Sequence, residues 1–92
     1  MPNEMWTATY VIIVDDEISA FGNLGGIIYK SPQDAWNAIL NDLEEFKNTN
    51  PIKGNAFIDE KHMKVTYNLQ HAFGHFTQVC WKPQKMVMTE IE

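Results

Sequence analysis

Between Ser31 and Lys47 the chain reads SPQDAWNAILNDLEEFK, a stretch that admits one local structure, an amphipathic α-helix. Ser31 is a fitting N-cap, because its hydroxyl can accept a hydrogen bond from a first-turn N–H that has no partner inside the helix. Pro32 follows at the first helical position, where its missing N–H costs nothing, and Asp34 complements the positive end of the helix dipole. Trp36, Ile39, Leu40, Leu43 and Phe46 then recur at helical spacing and make one broad apolar face. Asn37, Asn41, Asp42, Glu44, Glu45 and Lys47 fill much of the rest; Asn48 or Asn50 can end the helix, and Pro51 blocks its continuation. Such a helix needs something flat and apolar to lie on.

The flanking sequence supplies strands. Trp6 to Val14 is β-branched and aromatic, with Trp6, Ala8, Tyr10, Ile12 and Val14 on one face and Thr7, Thr9, Val11 and Ile13 on the other. Asp15-Asp16-Glu17 reads as a turn. A second strand is expected from Ile18 to Tyr29, bent or bulged at Gly22, Gly25 and Gly26. After the helix, residues 50–55 form a loop, Ala56-Phe57-Ile58 a short strand, and residues 59–62 a polar connection. Met63, Val65, Tyr67 and Leu69 alternate along a further strand, and residues 70–74 form a turn. His75 to Lys82 puts Thr77, Val79 and Trp81 on one side, and Phe76 and Cys80 on the other. Pro83 ends that strand or marks an edge, and residues 85–91 offer a last short strand. The expected fold is α+β: one domain over residues 1–92, a small antiparallel sheet of four to five strands with the amphipathic helix on one face, in the order β-β-α-β-β.

Composition narrows the function classes. Twelve acidic residues stand against seven basic ones, all lysine, for a net charge of −5. Bidentate recognition of phosphate or guanine is arginine chemistry, and the lysines are scattered, so direct nucleic-acid binding is not expected. No apolar run approaches a membrane span of ~20 residues, and residues 1–5 carry no secretory signal. The single cysteine, Cys80, fits a reducing compartment, and the expected location is cytoplasmic.

Chemistry-bearing patterns are few. Asp15-Asp16-Glu17 lacks the Asp-x-Asp-x-Asp-Gly register of a calcium loop. The Gly22–Gly26 stretch lacks both the Gly-x-Gly-x-x-Gly pattern and a phosphate-binding lysine. Cys80 has no base in local reach, since His75 points to the opposite side of the same strand. His71 and His75 are four apart, but across a turn rather than along a helix, so no zinc set forms. No catalytic residue, metal or cofactor is assigned.

Two stretches resemble known families. Gly74-His75-Phe76-Thr77-Gln78-Val79-Cys80-Trp81-Lys82 resembles the signature of the CAP superfamily, the pathogenesis-related and cysteine-rich secretory proteins. Gly22-Asn23-Leu24 is similar to that family's Gly-Glu-Asn-Leu, without the glutamate, and Asp42 falls near its second glutamate. The resemblance implies a cleft histidine at His75 and, as an alternative function, a ligand- or metal-binding fragment using His75 with His71 and His62. The chain departs from that pattern at Cys80 and at Pro83-Gln84, and it has no long first helix. From Tyr10 to Phe46, two strands followed by Ser31-x-x-Asp34-Ala35 and a helix resemble HicB-type antitoxins and many small phage proteins, which implies architecture more than activity.

The preferred reading is a non-enzymatic, small acidic protein-binding regulator or inhibitor, of the kind that phages and mobile elements encode. Its expected contact surface is an aromatic sheet face of Trp6, Tyr10, Tyr67, Phe76 and Trp81, with acidic patches at Asp15, Asp16, Glu17, Glu44 and Glu45. The expected partner is a protein, which could be basic, with a homodimer as a further option.

Overall fold

A computed structural model describes residues 5–49, 54–70 and 74–86. The elements are β1 (Met5–Val14), β2 (Glu17–Asn23), α1 (Pro32–Thr49), β3 (Asn55–Asp59), β4 (Lys64–Gln70) and β5 (Phe76–Met86). The fold is α+β, one helix against a five-stranded antiparallel sheet of order β2-β1-β5-β4-β3. Two hairpins, β1–β2 and β3–β4, therefore lie on either side of β5, the last strand among the described residues.

The local signals act as their chemistry requires. The Ser31 hydroxyl accepts the Asp34 N–H at 3.2 Å, capping α1. At the other end the Thr49 hydroxyl donates to the Glu45 carbonyl at 2.9 Å. Val14 pairs with Glu17, so Asp15 and Asp16 are the whole β1–β2 loop, with φ of 49° and 68°. Positive φ at both central residues suits the right-handed twist of a hairpin, and aspartate tolerates it better than most side chains.

One face of the sheet is packed. Ala8 of β1, Val65, Tyr67 and Leu69 of β4, and Val79 and Trp81 of β5 are buried with Ala35, Trp36, Ile39 and Leu43 of α1. Each fully buried aliphatic side chain in that layer contributes about 1.5–3 kcal/mol relative to exposure. Phe46 sets its ring edge-on to Tyr67 and Trp81, with centroids 5.4 and 5.8 Å away. The Trp81 indole N–H donates to Asp42 Oδ2 at 2.9 Å, so the largest core side chain keeps its polar atom satisfied.

Several boundaries differ from the expectation. The second strand stops at Asn23, and the chain loops through Gly25 and Gly26 before Tyr29 bridges back to Trp6. The bulge lies elsewhere, between Ile12 and Ile13 of β1, where Ser19 is the extra residue of β2. Met63 is in the β3–β4 turn at φ 51°, not in the strand. Pro83 does not end its strand: β5 runs on to Met86, and Pro83 pairs with Ala8. The ladder with β4 stops at Trp81, so at Pro83 β5 pairs with β1 alone and its other flank is open, where a missing N–H costs nothing. Asn50 and residues 51–53, 71–73 and 87–92 lie outside the described residues, and with them part of the loop after α1, the turn before β5 and most of the expected last strand. No helix among the described residues is long and apolar enough to cross a membrane.

Candidate interaction surface

Side-chain alternation gives every strand two faces, and α1 covers only one of them. The other carries a straight cross-strand row, Phe21–Val11–Cys80–Thr66–Phe57, running from β2 to β3. A second row beside it is Ile18–Ile13–Gln78–Asn68–Asn55, in which the Gln78 amide donates to Asn68 Oδ1 at 2.9 Å. Phe21 is 76% exposed, Ile18 66% and Phe57 60%. Val11, Cys80 and Thr66 are half-buried and low between them. The open face is thus a shallow trough, with an aromatic ring standing on each outer strand.

The bulge builds half of this surface. Ile18 and Phe21 are three residues apart, and in an unbroken strand an odd separation puts side chains on opposite faces. Pairing Ile12 with Ala20 but Ile13 with Ile18 shifts the parity by one, and both bulky side chains emerge on the open side.

The five aromatics of the sequence reading do not make one exposed face. Tyr67 and Trp81 are 3% and 2% exposed, beneath α1. Trp6 and Tyr10 share that side, half-buried against the same core. Phe76, paired with Gln70, lies on the open side and is half-buried. The physical reason is that on β1 and β4, and at Val79 and Trp81 of β5, the aromatic face is also the more apolar one, and the helix covers it. Phe21, Ile18 and Phe57 are the residues that sequence reasoning missed. The three-residue spacing of Ile18 and Phe21 in a short strand was the available signal.

The two expected acidic patches lie in separate places. Asp15, Asp16 and Glu17 are exposed at the β1–β2 turn, where Asp15 accepts the Phe76 N–H at 2.9 Å and meets His75 Nδ1 at 3.0 Å. Glu44 and Glu45 are exposed on α1, Glu44 lying 3.7 Å from Lys47. At the far end of the sheet, Asp59 Oδ2 lies 2.8 Å from His62 Nδ1, and its Oδ1 accepts the His62 N–H. Those two hydrogen bonds, the ring's first, hold the Asp59 carboxyl below the usual aspartate range.

His75 and Asp42 occupy separate places: His75 is tied to the β1–β2 turn, whereas Asp42 meets Trp81, six residues or ~20 Å further along the β5 segment. His71 lies outside the described residues. Among the described residues no three His, Cys, Asp or Glu side chains converge as a metal site. No family model, no curated protein and no solved structure matches this chain.

Proposed function

We propose that this chain is a non-enzymatic protein-binding regulator or inhibitor, of the kind phages and mobile elements encode, and that it docks a helix of its partner on the open sheet face. The observation that carries this reading is the exposure of Phe21, Ile18 and Phe57 on the side that α1 leaves bare. Large apolar side chains exposed on one face can serve as contact sites, and aromatic residues are enriched among interface anchors. The shape selects a helix. Phe21 and Phe57 are four strand spacings apart, about 19 Å. Once the two rings are allowed for, the trough between them accommodates one α-helix of ~10 Å diameter. Its floor of Val11, Cys80 and Thr66 is low enough for a close approach.

The test is affinity capture from host lysate with the wild-type chain and with a Phe21→Ser/Phe57→Ser variant, followed by identification of what is retained. A specific partner held by the wild type and lost by the folded variant supports the reading. Retention of the same proteins by both chains would sink it. Cys80 provides a direct reporter: its alkylation should slow when partner covers the trough. Sizing at several concentrations shows whether a second copy takes the same place, in which case the two serines abolish the dimer.

A further inference from the structure

On the helix side of the sheet, α1 packs over β1 and β5 and leaves the flank above β2 unfilled. The reason lies in β2, which opposite Ile12 and Tyr10 offers only the methyl group of Ala20 and, at Gly22, no side chain at all. The Tyr10 ring lies over Gly22, its hydroxyl 3.3 Å from where a Cβ would stand. Two adjoining hollows of about 300 and 260 Å³ result, sharing Leu24 and Asp42 as lining residues. The smaller has an apolar floor of Tyr10, Ile12 and Trp81, and Leu24 carries that floor on into the larger. Along the helix wall stand two carboxylates one turn apart, Asp42 and Glu45. Neither is ion-paired among the described residues. Asp42 is held in place by the Trp81 indole, which occupies one of its oxygens.

We infer that this groove binds a basic, apolar segment of a partner protein, with an aliphatic stem on the floor and its ammonium or guanidinium group between Asp42 and Glu45. Lysine and arginine combine a long apolar stem with a charged tip, which is what an apolar floor beneath a carboxylate wall complements. A carboxylate already fixed by an indole N–H loses little freedom on accepting a charge-assisted hydrogen bond. An acidic segment would meet two like charges here, and a neutral one would leave them uncompensated. The groove lies on the opposite side of the sheet from the trough, so this inference neither needs nor excludes docking there.

The test uses the whole chain and a short synthetic Leu/Lys amphipathic peptide, followed by NMR at the Trp81 indole resonance. Saturable movement of that resonance, weakened by added salt, is the expected result. Asp42→Asn with Glu45→Gln should weaken binding about tenfold or more, since charge-assisted contacts are roughly twice as strong as neutral ones. Asparagine still accepts the indole N–H, so this variant keeps the fold. Neutralising the turn instead, by Asp15→Asn, Asp16→Asn and Glu17→Gln, should change affinity much less. Equal losses from the two variants would mean diffuse attraction to an acidic protein and would overturn the inference. So would an unmoved Trp81 indole at millimolar peptide, or equal affinity for a Leu/Glu peptide. Phe21→Ser/Phe57→Ser should leave peptide binding intact, which separates failure here from failure of the trough.

Discussion

The two faces of this sheet are made from the same strands yet differ in what fills them. Under α1, Tyr67 and Trp81 interlock with Ile39, Leu43 and the edge-on ring of Phe46. On the bare side Phe21 and Phe57 stand on the outermost strands with only small or polar side chains between them. The large rings of the helix side lie on the central strands, and the most exposed rings of the bare side lie on the rims. A side chain contributes to stability when neighbours surround it, and it is available for recognition when they do not. The two faces divide those roles.

The largest expected effect tests that division directly. Ile39→Ala removes a fully buried side chain and should destabilise by about 2–5 kcal/mol in chemical denaturation, whereas a surface change such as Phe21→Ser should stay within about 0.5 kcal/mol. A Phe21→Ser chain that loses as much stability as Ile39→Ala would show that the bare face is part of the core, and the contrast would collapse. A smaller effect comes from the cap: Ser31→Ala should cost about 1 kcal/mol by leaving the Asp34 N–H without its acceptor. Restoration by Ser31→Asp but not by Ser31→Val would tie that loss to the cap rather than to packing.

The smallest effect is a pH dependence at the rim of the sheet. Because the Asp59 carboxyl is held below its ordinary value of 3.8 in the folded chain, its contribution is complete above that value. It fades as pH falls through the lower folded value, where protonation releases the His62 contacts. His62→Ala should therefore raise the pH at which the Asp59 carboxyl titrates, read by NMR. The same midpoint in both chains would dismiss the pair as a determinant.

The helix was legible because its signals are local and agree: a serine cap, a proline after it, and apolar residues at one spacing. The turn at Asp15-Asp16 and the alternation of β4 were legible for similar reasons. Alternation also grouped Trp6 with Tyr10, and Val79 with Trp81, as the structure does. What alternation cannot say is which of two faces a helix will take, because that choice depends on the summed apolar surface of all five strands. The most aromatic side went under α1, and the expected contact surface went with it. The trough escaped for a second reason: one extra residue at Ser19 reverses the parity of Ile18, and a bulge leaves no composition of its own.

The place of β5 carries a consequence for how the protein comes into being. It is the strip that joins the two hairpins, pairing Met5 with Met86 at one extreme, yet it follows every other described element in the chain. During synthesis β1–β2 and β3–β4 wait as separate two-stranded ribbons, each marginal in water by itself, until β5 emerges between them. Assembly is then late and dominated by distant pairings, a slow topology for so short a polypeptide. A nascent chain stalled before β5 would display both ribbons' apolar sides at once, a species for chaperones and proteases to recognise.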